Sequence, residues 1–550
     1  MEQASHSSIS EDIESLQEKC GVIGIMSGSP DRLKQMAIIT LPSIEHRGAD
    51  GTGCAYVGLE STVFHSAKPS SVFAQKLQDK EIKQSGVAVL QSRYATSGNA
   101  EKPEELQPFL RYTPYGKIAL AFNGNIWNWS RRDGETPSLK EQACQSGYTL
   151  PDGKPLCPEE STDTEAFFYL LKNADRTTFI NALTKDVFPR LKGSYSLIIS
   201  KERFCSPDTR GNSEQMIVAR DPHGFHPLWW ANTEQGDIIV SSETSSMDVL
   251  RIPHKNFHEV PPGTLLIFEQ GNPVPQVIRF ADNNRSTFCS LEAMYFMRSD
   301  SLYCIDQQDA QNKAHIRKIR FGVGKILGKK ALAQLKRMGY ESLNHIDVIP
   351  IPESGTPFGR GVHDALARQG AHLNEDAIIL NPDIRRQRSF ISKDQRTREL
   401  AALEKRKYLR DLFSPINDVI ICDDTLIRGT TFRKLINDLR GYVQGRIHAI
   451  LSLGSFVDTC PYGIAIKNPD ELVTRVTGAI DPQDPTNPDI DKIKKFIGLR
   501  NNEMLLYASH EDVRRALREA LKKCGIEPNG RDVCYACQGG NYPDSYPHSF

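Results

Sequence analysis

The sequence predicts two joined folds, an antiparallel layered α+β unit followed by an α/β unit with a mainly parallel sheet. Three observations carry this. At 550 residues the chain is longer than one hydrophobic core usually organises. Residues 20–284 are rich in short apolar and β-branched runs broken by Gly, Asn and Pro, among them GVIGIM, KIALAF, YSLIIS, DIIVSS and GTLLIF, which read as strands between turns. From 285 to 508 the runs HIDVIPIP, AIIL, DVIICDD, HAILSL and MLLYAS alternate with helical periodicity, the mark of strands joined by helices.

In chain order, residues 1–19 form a polar leader in which Glu2, Glu11, Asp12, Glu14 and Glu18 face Lys19 alone. It has neither the apolar middle of a secretory signal nor the arginines of a mitochondrial one. With 12 cysteines in so long a chain, a reducing cytoplasm is the expected location. Lys plus Arg and Asp plus Glu are 68 each, so no global field recruits nucleic acid. No run nears the ~18 apolar residues of a membrane span. Residues 131–160 read as a polar surface insertion within the first domain. Phe432, Leu435, Ile436 and Leu439 fall on one helical face. Residues 509–550 open with Ser509 and Asp512 as a capping signal for a helix carrying Val513, Leu517, Leu521 and Cys524, and then run into a cysteine-containing tail.

Chemistry concentrates first in VIICDDTLIRGTT, residues 419–431. Asp423 and Asp424 end a buried strand, where adjacent acids are costly without partners. Thr425, Arg428, Gly429, Thr430 and Thr431 then supply hydroxyls, a cation, a close backbone approach and amides at a helix start, the ingredients of a phosphate cradle. A plain turn capped by Asp and Thr would need no acid pair. The segment is similar to the type I phosphoribosyltransferase signature.

The second centre is Cys20, directly behind the leader. A cysteine made N-terminal by cleavage carries its own α-amine, of pKa roughly 8, as a base. Taken alone such a cysteine is more often a small buried hydrophobe. Here it precedes HRGADGTG (46–53), SRYATSGN (92–99), FNGNIWN (122–128) and STDTE (161–165). Asn123 and the backbone of Gly124 suit an oxyanion. Arg93 suits a carboxylate and Asp163 an ammonium.

This order of motifs resembles the class II, N-terminal-nucleophile glutamine amidotransferases. Joined to the phosphoribosyl loop, it resembles the amidophosphoribosyltransferase family from Cys20 to about Pro543. ARDPHGFHPL, SSETSSMD, EVPPG, CSLEAMYFMRSDS, IPIPESGTP, RSFI and CPYGI carry the likeness further. The resemblance implies an αββα glutaminase sandwich before a type I phosphoribosyltransferase domain. It implies that Cys20 releases ammonia from glutamine, and that the ammonia displaces pyrophosphate from phosphoribosyl pyrophosphate. It implies magnesium near Ser354, Asp423 and Asp424, and a closing loop with Arg388, followed in register by Arg398 and Lys405. A family subgroup holds a [4Fe–4S] cluster, and its ligands match Cys289, Cys460, Cys534 and Cys537; structural zinc is the competing occupant of four thiolates. Purine nucleotides as feedback inhibitors and a dimer or tetramer follow by resemblance alone.

The chain also departs from the family. Gln91 stands where His is usual, Glu353 where Asp is usual and His226 where Arg is usual. Pro382, Asp383 and Ile384 replace Lys-Asn-Arg before RSFI, with Arg385 and Arg386 as nearby cations. These departures motivate an alternative expectation, a diverged homologue that binds ribose phosphates or nucleotides and regulates without turnover, or a copy serving another pathway.

Overall fold

The computed structural model describes residues 20–82, 85–93, 106–150, 153, 156, 162–202, 214–282, 287–304, 313–380, 406–414, 416–463, 468–481, 484–522, 532–543 and 546. The leader and the stretch with Arg385, Arg386, Arg388, Arg398 and Lys405 lie outside the described residues.

Two antiparallel sheets draw all their strands from residues 21–279. The first has seven strands, with Gly21–Met26 between Ile238–Ser241 and Ser85–Arg93. The second has six, with Gly116–Ile126 pairing Phe109–Thr113 on one side and Gly193–Lys201 on the other. Side-chain alternation sorts each strand between two cores. Val22 and Met26 join Ala119, Ala121, Ile198 and Met216 between the sheets. Ile23 and Ile25 point the other way, into helices Pro30–Thr40 and Ser70–Leu77. Leu120, Phe122, Leu197 and Ile199 meet Phe167, Leu170 and Leu171 of helix Glu165–Lys172 on the far side. The result is four layers, helix, sheet, sheet, helix. Both faces being covered explains why GVIGIM reads as an unbroken apolar run. Within the stretch read as a polar surface insertion, helix Leu139–Gln145 buries Leu139 and Ala143 in the outer core.

The second unit is a five-stranded parallel sheet ordered His372–Leu373, Ile346–Pro350, Asp418–Asp423, Ile447–Leu451, Leu505–Tyr507. Val348, Ile420 and Ile450 face helices Ile316–Arg337 and Gly355–Leu366, while Ile349, Ile421 and Leu451 face helix Thr430–Leu439. The first two helices touch backbone to backbone. A Cβ on Gly324 would stand 2.0 Å from Phe358 O, and one on Gly361 2.1 Å from Phe321 O. The run AIIL lies apart from this sheet, as Ile378–Leu380 paired antiparallel with Arg406–Tyr408.

The C-terminal stretch returns to the junction between the two units. Ser509 and Asp512 form the expected reciprocal cap, Asp512 N donating to Ser509 Oγ at 3.3 Å and Ser509 N to Asp512 Oδ2 at 2.8 Å. Helix His510–Lys522 packs on the long helix, with Lys330 Nζ 2.6 Å from Asp512 Oδ2. Strand Asp532–Cys534 then pairs in parallel with Thr287–Cys289. Beside it, buried Arg320 donates to Ala293 O, Met297 O and Ser299 Oγ, which holds the turn at 293–299.

Candidate active sites

The pairing of Gly21 with Ser92 puts Cys20 beside Arg93 at the end of its neighbouring strand. Cys20 is half-buried, and its carbonyl accepts from Arg47 Nε at 3.4 Å. Arg93 is buried and its charge acts on Asp163. Asp163 Oδ2 accepts from Ile126 N at 2.8 Å, so it caps the end of the strand that carries Asn123 and Gly124. Asn123 Nδ2 is buried without a hydrogen-bond partner, a donor left available to a ligand. A Cβ on Gly124 would stand 2.0 Å from Ser194 O, so only glycine lets the two strands meet there. The five residues singled out in the sequence thus belong to one continuous framework.

Burial pushes the Asp163 carboxyl up to about 6, against hydrogen bonds from backbone amides and the charge of Arg93. Gln91, in the place of the family's His, braces this framework: its Nε2 donates to Phe122 O at 2.6 Å and to Gln107 Oε1 at 3.1 Å, next to Asn123.

Behind Cys20 lies a buried charge network that sequence reasoning missed. Arg47 Nη1 meets Glu243 Oε1 at 2.5 Å and Nη2 meets Glu292 Oε1 at 2.9 Å. His46 Nε2 is 2.8 Å from Glu243 Oε1, and His226 Nδ1 is 3.2 Å from Glu292 Oε1. Burial pushes the Glu243 carboxyl up, but the charges of His46 and Arg47 prevail and hold it well below the usual carboxylate range. Glu292 belongs to the segment after the antiparallel sheets, so the network ties Cys20 to the second unit. Its sequence signals are the polar clusters in HRGADGTG and SSETSSMD and the departure at His226, none of which names a partner.

The phosphate loop folds as expected. Asp423 is buried at the end of its strand, Asp424 N donates to Asp423 Oδ1 at 3.0 Å, and Thr425 N to Asp424 Oδ1 at 2.7 Å. Ser354 Oγ donates to Asp424 Oδ2 at 2.6 Å, which brings the IPIPESGTP loop onto the acid pair. Thr425 Oγ1 donates to Gly454 O at 3.2 Å. Gly429 takes φ of 75°, a left-handed conformation that glycine adopts without strain, and Thr430 and Thr431 begin the helix. Arg428 pairs with Glu471 at 2.5 Å. Arg388 lies outside the described residues, so only the floor of this site is seen.

The two halves meet at four cysteines. Cys289 and Cys534 are cross-strand partners, Cys460 Sγ accepts from Tyr462 N at 3.4 Å, and Cys537 is buried. Burial, then the nearby Cys460, Cys534 and Cys289, push the Cys537 thiol far up, so the four sulfurs are within electrostatic reach of one another. Asn125 Nδ2 donates to Pro461 O at 2.7 Å, docking this segment on strand Gly116–Ile126. Among the described residues no group of three or more His, Cys, Asp or Glu side chains is arranged to hold a metal ion. Cys54 and Cys422 are buried elsewhere, and burial pushes the Cys54 thiol up to about 12. Among the described residues no helix is long and apolar enough to cross a membrane.

Comparison with known proteins covers both halves. The glutamine amidotransferase domain family matches residues 93–249. An amidophosphoribosyltransferase of Bacillus subtilis is 28% identical over 540 residues, 97% of this chain and 95% of that protein. One from Methanothermobacter thermautotrophicus is 26% identical, covering 97% of this chain and 96% of its own. Among solved structures, the Bacillus subtilis glutamine phosphoribosylpyrophosphate amidotransferase complexed with ADP and GMP superposes with a TM-score of 0.71 at 26% identity, over 95% of this chain and 97% of that one. A structure described as the allosteric regulatory enzyme of purine biosynthesis superposes with a TM-score of 0.72 at 27% identity, over 95% of this chain and 96% of that one.

Proposed function

This chain belongs to the amidophosphoribosyltransferase family, and we propose that it transfers ammonia from glutamine to C1 of phosphoribosyl pyrophosphate, giving phosphoribosylamine, pyrophosphate and glutamate. The observation that carries this reading is the presence of two candidate centres in one chain. One is the Cys20, Arg93, Asn123, Gly124 and Asp163 framework, and the other is the acid pair above the phosphate cradle.

In the first half-reaction, Arg93 pairs with the glutamine carboxylate and Asp163 with its ammonium, which aims the side-chain amide at Cys20. With residues 1–19 removed, the Cys20 α-amine takes the thiol proton and the sulfur adds to the amide carbon. Asn123 Nδ2 and Gly124 N–H hold the resulting oxyanion. The protonated amine then gives its proton to the departing nitrogen, leaving ammonia and a thioester, and water releases glutamate.

In the second half-reaction, ammonia attacks C1 as the bond to pyrophosphate breaks. Asp423 and Asp424 hold the ribose hydroxyls, while the amides and hydroxyls of Thr425 to Thr431 hold the 5-phosphate. Arg388, which lies outside the described residues, is proposed on the resemblance alone as a further substrate-binding cation. Two carboxylates and the Ser354 hydroxyl are the hard oxygens that suit magnesium, which usually completes its shell with substrate phosphates. Ser354, Asp423 and Asp424 would hold it, and it would supply charge compensation for the leaving pyrophosphate.

Cys289, Cys460, Cys534 and Cys537 are the thiols that would hold a [4Fe–4S] cluster, with structural zinc the alternative, although in the described structure they are not arranged as a metal site; either group would brace the tail against both units. Iron and zinc analysis of an anaerobic preparation separates them. Purine nucleotides are proposed as inhibitors, as the ADP and GMP bound to the Bacillus subtilis relative suggest.

Two variants test the assignment. Cys20→Ala is expected to abolish glutamine-dependent pyrophosphate release and to spare the ammonia-dependent reaction, whereas Asp424→Asn is expected to abolish both in a folded protein. Normal rates in Asp424→Asn would sink the reading. Intact mass of the active protein is expected to begin at Cys20; a retained leader with no glutamine hydrolysis favours the non-catalytic alternative.

A further inference from the structure

His226 lies where three segments distant in sequence meet. Its Nδ1 is 3.2 Å from Glu292 Oε1 and its Nε2 is 2.9 Å from Ser194 Oγ, and all three residues are fully buried. Ser194 belongs to the strand whose carbonyl lies against Gly124, and its hydroxyl reaches Tyr462 O at 2.7 Å.

Counting hydrogens fixes the ring. A carbonyl oxygen cannot donate, so the single Ser194 hydrogen goes to Tyr462 and His226 Nε2 must donate to Ser194 Oγ. Nδ1 then faces an oxygen of Glu292 that already accepts from Arg47 Nη2. A bare lone pair on Nδ1 would oppose the carboxylate, whereas an N–H there makes a charge-assisted bond. Both ring nitrogens therefore carry hydrogen. Beside Arg47 and His46, the charges of Arg298 and the buried Arg320 also act on Glu243, while His226 Nδ1 lies against Glu292.

We propose that His226, held as an imidazolium, is a positioning residue for glutamine hydrolysis. It fixes Glu292, and through it Arg47 behind Cys20, while it also fixes Ser194 beneath Gly124. It touches no reacting atom. Arginine, usual in the family at this place, supplies a permanent charge; histidine supplies the same charge through two ring N–H groups. The inference rests on the reading that Cys20 attacks glutamine.

The test compares His226→Arg and His226→Gln in the full chain. His226→Arg is expected to keep glutamine-dependent kcat within about threefold. His226→Gln, neutral at every pH, is expected to lower it tenfold or more and to leave ammonia-dependent pyrophosphate release within about twofold. Nitrogen NMR of ¹⁵N-histidine protein is expected to show a doubly protonated ring at pH 7 to 8 whose signal is absent from His226→Arg. Alkylation of Cys20 by iodoacetamide, followed by mass, reads the same positioning without turnover and is expected to change in His226→Gln and not in His226→Arg. A neutral ring, or His226→Gln indistinguishable from the parent in both hydrolysis and alkylation, overturns the proposal. If His226→Gln does not fold, the ring signal and the His226→Arg rates decide. If the parent itself hydrolyses no glutamine, the function proposed above fails, while alkylation and the ring signal still judge His226.

Discussion

Burial pushes the Asp163 carboxyl up to about 6, close enough to neutrality to limit the reaction in acid. Only the ionised form pairs with the glutamine ammonium. Glutamine-dependent kcat/KM is therefore expected to fall about tenfold per unit once pH drops below roughly 6, while the ammonia-dependent rate does not share that limb. Asp163→Asn is expected to cost about 10²-fold in kcat/KM for glutamine, the worth of one charged hydrogen bond, and to abolish the acid limb. A pH profile of both reactions checks this. In the sequence, Asp163 stands out as a candidate ammonium partner because STDTE falls in a known order of motifs. Its raised pKa does not, since nothing in the local sequence reports that residue 163 ends against Ile126 in the interior. The same holds for Arg47, Glu243, His226 and Glu292. Their partners lie tens to hundreds of residues apart, and no periodicity links them.

At the scale of the element, period and punctuation carried the reading. The spacing of Phe432, Leu435, Ile436 and Leu439 marks the buried face of helix Thr430–Leu439, and all four are buried. Ser509 and Asp512 mark a true cap. AIIL misled because a short apolar run has no means of naming its partner strand. Helix contacts made by glycine were also invisible, since Gly324 and Gly361 look like helix weakeners until the partner backbone is seen at their Cα atoms. Gly324→Ala puts a methyl 2.0 Å from Phe358 O, so the helices must part. The expected loss is about 1–3 kcal/mol of stability, read as a lower urea midpoint with an unchanged slope. Gly322, whose added Cβ meets nothing closer than 3.4 Å, is the control and is expected to tolerate alanine.

For the whole molecule, pH stability is expected to depend on a site far from the chemistry. His448 is buried on strand Ile447–Leu451, the fourth of the five parallel strands; its Nδ1 accepts from Met504 N at 2.9 Å and its Nε2 lies 3.1 Å from the Tyr340 hydroxyl. Burial lowers its pKa to about 4, with Asp418 and Glu503 opposing. Between about 4 and the ordinary 6.5 the unfolded chain binds the extra proton. Stability is therefore complete above about 6.5 and falls as pH drops toward 4, by roughly 3 kcal/mol from this residue. Urea unfolding across that window checks it, and His448→Asn is expected to flatten the limb. The two-unit architecture was legible at this scale because α+β and α/β patterns differ over hundreds of residues. The junction was not, because it is built from contacts between the ends of distant elements.

The bridge from Arg47 to Glu292 also bears on how such a chain could be recombined. A glutaminase cut at residue 284 would carry Arg47 and His226 away and leave their shared carboxylate behind. Arg47 would keep Glu243 but lose its second carboxylate, and His226 would lose its acidic partner. Grafting this ammonia source onto a different acceptor therefore requires taking residues 287–301 with it, although that stretch contributes no strand to either glutaminase sheet. The unit that can be inherited or transplanted is longer than the unit that folds as a sandwich.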